Sequence, residues 1–176
     1  MVRLIKHSKI TSFSDAFSKE QQLVFKKLDQ LLDFLKKLKY EGKLYQRRNI
    51  KTAEKVLGTF KKTYALHKEL DEKIIFPFLD QHIPKLDPLL RLLSTERAEF
   101  YSILGDCESL LNKFKKTKNK EEQVKTLEQI CDKGIYAVAL IKNHIQLEKE
   151  SVYKAIDKEL RPVEKDQLAT SLKKHR

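Results

Sequence analysis

The 176-residue chain has no tryptophan, one methionine, two cysteines, four glycines and four prolines. So few helix breakers exclude a fold rich in strands and tight turns, and they favour long helices. Two cysteines cannot build a disulfide framework. No run of about 18 apolar residues occurs, so no membrane-spanning helix is expected. The opening MVRLIKHSKI is too interrupted by charge for a targeting segment. A soluble protein of the reducing cytoplasm is the expectation. The length suits one domain, 1–176, with a single substantial core.

Basic residues are not lacking: 37 Lys and Arg face 25 Asp and Glu, for a formal charge of +12. Only seven of the 37 are arginine, the residue that forks onto phosphates and base edges. The lysines are also spread along every expected helix instead of forming one block. The favoured reading is a solvated lysine-rich surface with no specific nucleic-acid partner. A metal-free basic bundle that binds nucleic acid or anionic membrane is the competing reading. It requires binding that weakens steeply with salt.

Apolar residues recur at helical spacing in four long segments, expected at 12–41, 50–80, 87–115 and 120–160, with 161–176 as a polar tail or short accessory helix. Ser12 or Ser14 can cap the first. Asp87-Pro88 opens the third, and Asn119 with Glu122 is spaced as a reciprocal cap for the fourth. Pro77 marks a kink or stop near the end of the second. The stripes are Phe13, Phe17, Val24, Leu28, Leu31, Leu35 and Leu38; then Ala53, Val56, Phe60, Tyr64, Ile74 and Phe78. They continue with Leu89, Leu93, Phe100, Ile103, Cys107, Leu110 and Phe114, and finally Leu127, Ile130, Ala137, Ile141 and Val152. An all-α, antiparallel up-down four-helix bundle follows.

Six polar residues interrupt those stripes, and they do so twice in the same way. Glu20, His67 and Asp71 recur as Glu96, His144 and Glu148, with glutamate-to-histidine intervals of 47 and 48 residues. In each half an acid follows the histidine by four positions, one turn along the same face. The midpoint of Glu20 and His67 falls in the GKLYQRR connection, that of His67 and Glu96 at Gln81-His82, and that of Glu96 and His144 at Lys120. All three are expected turns, so in an antiparallel bundle the ligands share one layer.

The flanking residues repeat as well. Leu70, Asp71, Ile75, Phe76 and Leu79 align with Leu147, Glu148, Val152, Tyr153 and Ile156. Val24, Phe25, Leu28 and Leu35 align with Phe100, Tyr101, Leu104 and Leu111. Two similar hairpins related by a pseudo-two-fold axis are the simplest source of such a repeat. Burying unpaired carboxylates costs several kcal/mol, so a compensating charge is expected.

The segments HKELDEKIIFP and HIQLEKESVY resemble the paired helix signatures of hemerythrin-like, or HHE cation-binding, domains. That resemblance implies a non-haem di-iron centre in a four-helix bundle, with His67, Asp71, His144 and Glu148 as the matching ligands of the second and fourth helices. The family's first and third helices usually offer histidine; here Glu20 and Glu96 stand there, with Gln21 or Glu99 as alternatives should the helix phase differ. The result is a carboxylate-rich set of two histidines and four acids, as in ferritin-like di-iron proteins.

Two divalent ions would balance the four carboxylates. Iron suits the donors best, with a mixed manganese and iron pair or zinc as alternatives. Anionic oxygen donors favour higher oxidation states, so the expectation is a centre that reacts with oxygen or peroxide instead of carrying oxygen. A non-enzymatic oxygen or iron sensor, or an iron-handling module, is the alternative on the same fold.

Tyr64 and Glu72 are the candidates for a surrounding shell, although a core tyrosine and a solvated glutamate are the plainer readings. Cys107 and Cys131 read as structural thiols, and His7, His82 and His175 as surface residues.

Overall fold

Long apolar stripes with few breakers produce helices, and every regular element among the described residues is helical. The computed structural model describes residues 12–40 and 46–175, apart from the side chains at 16, 18–20, 46–49, 53, 56, 59, 60, 62, 63 and 66. His7 and the expected inward positions Ala53, Val56 and Phe60 therefore lie outside the described residues or side chains, as does the turn at 41–45.

Helix α1 spans Phe13–Tyr40 and α2 spans Gln46–Leu70. A π-helical segment, Asp71–Ile75, leads from α2 into α3, Phe76–His82. Ile83 leaves the helix, and a 3-10 turn at Pro84–Leu86 opens α4, Asp87–Lys116. This turn comes a few residues later than the Gln81-His82 midpoint. After Thr117–Asn119, α5 spans Lys120–Leu147 and widens into a second π-helical segment, Glu148–Tyr153. Two short helices follow, α6 at Lys154–Glu159 and α7 at Pro162–Lys174. No described helix is long and apolar enough to cross a membrane.

Contacts gather the chain into two compact units. The first holds the described part of Met1–Val24 with Lys61–Ser94 and Ile145–Arg176; the second holds Phe25–Phe60 with Thr95–His144. In the first unit Phe13, Phe17, Ile75, Leu79, Leu93, Val152, Tyr153 and Ile156 form a continuous apolar cluster, with Phe17 and Tyr153 stacked at 4.6 Å. The expected tail is part of it: α7 buries Leu168 and Leu172 in the same cluster.

Charged caps close the helices of this unit. Asp157 of α6 accepts hydrogen bonds from Ser12 Oγ, Phe13 N and Ser14 N at 2.8, 2.7 and 3.0 Å, so its carboxylate sits on the positive end of α1. Ser12 Oγ also accepts from Asp15 N at 3.1 Å, which makes Ser12 the cap rather than Ser14. Arg161 and Glu164 form a reciprocal cap for α7.

In the second unit Leu28, Leu31, Leu35, Leu57, Phe100, Leu104, Leu111, Ile130 and Val138 are buried and surround an apolar cavity of about 30 Å³. Gly134 of α5 lets Leu35 approach so closely that an added Cβ would stand 2.7 Å from Leu35 Cδ1. Asn119 caps α5 by accepting from Glu121 N and Glu122 N at 2.9 and 3.2 Å. Glu122 itself pairs with Lys113 at 3.0 Å.

Candidate metal centre

Both π-helical segments begin at the acid that follows a histidine by four residues: Asp71 after His67, and Glu148 after His144. Such widened turns hold one extra residue per turn and recur at functional sites. Pro77 offers a structural cause for the first, because a proline lacks the N–H that an α-helical turn needs. Its counterpart in the repeat is Lys154, which has that N–H, yet the second segment is also π-helical. Proline therefore does not explain both segments; each opens at the acid that follows a histidine by four residues.

Burial follows the sequence repeat position by position. Ile75 and Val152 are buried, as are Phe76 and Tyr153, and Leu79 and Ile156, whereas Leu70 and Leu147 are both half-buried. Val24 and Phe100, Leu28 and Leu104, and Leu35 and Leu111 match in the same way.

The first unit brings together His67, Asp71 and Glu148, all buried, with one donor atom from each lying within 4.8 Å of the others. Nε2 of His67 is 3.1 Å from Glu148 Oε2 and 3.3 Å from Asp71 Oδ2. Ligand atoms at about 2.0–2.2 Å from one ion stand about 3.0 Å apart at right angles and about 3.4 Å apart in a tetrahedron. The two spacings from His67 are compatible with the edges of one coordination shell, and the 3.1 Å contact with Glu148 is also of hydrogen-bond length. Asp71 and Glu148 are fully buried and His67 is 6% exposed, and carboxylates in such a setting favour the uptake of a cation. The donor set suits iron, manganese or zinc.

Tyr64 is fully buried one turn before His67, its ring centroid 5.8 Å from the imidazole. Glu72 is exposed and 3.8 Å from Lys68, so it faces away from the triad. The Glu20 side chain lies outside those described. Its neighbour Gln21 is 3% exposed; Nε2 donates to Ile145 O at 3.3 Å, and Oε1 has no hydrogen-bond partner among the described residues.

In the second unit, Glu96 and His144 meet as a pair: His144 Nδ1 is 3.1 Å from Glu96 Oε2. Glu96 is 24% exposed, half out of the core. Glu99 is exposed and accepts from Tyr136 Oη at 2.8 Å. The residue that sequence reasoning missed is Arg97. It is 0% exposed, and its Nη2 lies 3.4 Å from His144 Nε2. The buried stripe of α4 runs Leu90, Leu93, Arg97, Phe100, Leu104, Cys107 and Leu111. Starting the 3,4 spacing at Leu90 instead of Leu89 would have revealed an arginine among core residues. The matching place in α1 is Gln21.

Cys107 and Cys131 are buried and free, with burial pushing both thiols up to about 11. His82 and His175 are exposed; His82 stacks on Phe78 at 4.0 Å.

Compared with protein-family models the chain finds no match, and compared with curated proteins it finds no significant one.

Proposed function

We propose that this protein is a hemerythrin-like four-helix bundle that binds a redox-active first-row metal, iron before manganese, and uses it in chemistry with oxygen or peroxide, with zinc as a redox-inert alternative occupant. The observation that carries the reading is the buried triad of His67, Asp71 and Glu148, with donor atoms at coordination-shell spacing. Bound iron would supply the electrons that oxygen or peroxide takes up.

The chain's own residues set the conditions for that chemistry. His67 offers a neutral nitrogen donor, while Asp71 and Glu148 contribute negative charge that favours a higher oxidation state. The Phe17 and Tyr153 rings stack at 4.6 Å in the apolar cluster of the same unit. Tyr64 beside His67 brings a phenol within reach of the site's periphery.

The test is elemental analysis of protein expressed in iron-supplemented medium, repeated for His67→Ala and Glu148→Ala. Metal retained by the parent chain and absent from both variants supports the proposal; protein that stays metal-free under anaerobic Fe(II) addition sinks it. Catalytic consumption of oxygen or peroxide then separates an oxidase from a sensor, which would oxidise once per chain.

A further inference from the structure

We infer that the chain holds a single metal ion, at His67, Asp71 and Glu148, and that Arg97 supplies a fixed positive charge where the internal repeat leads one to expect a second ion. The inference rests on the metal reading of that triad. It departs from the two-ion expectation because the two halves of the repeat differ chemically at one buried position.

Arg97 is fully buried, and its guanidinium is always charged and carries only donors. Nη2 donates to Nε2 of His144 at 3.4 Å. That bond uses the nitrogen lone pair a metal would need, and it leaves Nδ1 as the N–H that donates to Glu96 Oε2. Both ring nitrogens are thus engaged, one by a cation and one by a carboxylate. An ion about 2.1 Å from Nε2 on the same line would stand about 1.3 Å from Nη2. The two cannot coexist there. Even displaced, a guanidinium in a dry interior repels a divalent ion strongly.

The first repeat differs at the matching position. Gln21, which aligns with Arg97, is neutral, and its amide N–H₂ donates to Ile145 O. His67 Nε2 lies 3.3 and 3.1 Å from the carboxylate oxygens of Asp71 and Glu148. The difference between Gln21 and Arg97 therefore separates a metal half from a half that carries its own cation.

Co(II) and Fe(II) titrations of metal-free protein under anaerobic conditions test this, read as bound equivalents by elemental analysis and by the visible absorption of Co(II). The parent chain is expected to bind one equivalent. His144→Ala keeps it, whereas Asp71→Asn and His67→Ala lose it. Arg97→Gln, which copies the first repeat, rises to two equivalents, and Arg97→Lys stays at one. Two equivalents in the parent chain, or loss of metal in His144→Ala, would overturn the single-ion inference while leaving metal binding intact. A folded Arg97→Gln protein that still binds one equivalent overturns the role of Arg97. No binding at all in the parent chain removes the underlying metal reading, and this inference with it. Should Arg97→Gln fail to fold by circular dichroism, the parent and His144→Ala stoichiometries decide the matter.

Discussion

Asp71 and Glu148 stand 77 residues apart, each opens a π-helical segment, and both carboxylates reach the same atom, Nε2 of His67, at 3.3 and 3.1 Å. Two carboxylates brought close together in a dry interior raise the cost of keeping both ionised. Neutral isosteres should therefore divide stability from binding. Asp71→Asn and Glu148→Gln are expected to stabilise the metal-free protein by about 1–3 kcal/mol while abolishing metal uptake. Urea melts in chelator, paired with metal analysis, check this. Destabilised metal-free variants would show that the carboxylates are held by a structural network alone.

The metal should act as a folding ligand. At a hundredfold excess over its dissociation constant, an ion that binds only the folded chain adds about 2.7 kcal/mol. Thermal melts with Fe(II), Mn(II) and Zn(II) are expected to move upward for the parent chain and to stay fixed for His67→Ala. Equal shifts in both proteins would point to surface binding.

The start of α1 depends on a residue from the far end of the sequence. Asp157 accepts from Ser12 Oγ and from two backbone amides of α1, and the helix dipole adds to those bonds. Asp157→Ala should cost about 1–2 kcal/mol in urea unfolding, with Asp157→Asn recovering part of it. Hydrogen exchange at Phe13 and Ser14 should quicken in the alanine variant.

The cysteines give a pH dependence with a definite sign. Burial raises both thiols to about 11, so in the unfolded chain they lose their protons first. The stabilisation that goes with their neutral form is complete below the ordinary thiol range and drains away as pH climbs towards 11. The stability gap between the parent and a Cys107→Ala, Cys131→Ala double variant should narrow across that window. At pH 8 the folded protein should leave a thiol reagent unreacted, and both groups should react in denaturant.

Gly134 lies in the middle of α5, where glycine is unfavourable by about 1 kcal/mol relative to alanine. The atom an added methyl would meet is the end of the Leu35 side chain, and both residues border the apolar cavity of about 30 Å³. Leu35 has room to turn, so Gly134→Ala should raise the unfolding free energy by about 0.5–1 kcal/mol. A lowered melting point would mean that Leu35 is pinned.

Much of this protein follows from local pattern. All seven expected inward residues of α1, from Phe13 to Leu38, are buried, as are Leu127, Ile130, Ala137, Ile141 and Val152. Such positions are legible because a 3.6-residue period and scarce breakers act within a few turns of chain. The histidine and acid pairs were legible for the same reason, since one turn separates their members. Tertiary structure decided which members of the expected layer meet, Glu148 with His67 and Asp71, and it alone showed that Asp157 caps α1 and that α7 enters the core. Arg97 belongs with these, because one residue of helix phase decides whether Glu96 or Arg97 faces inward. A shift of that size turns a helix by about 100°, and no periodicity argument over a dozen residues resolves it; only packing against the neighbouring side chains does.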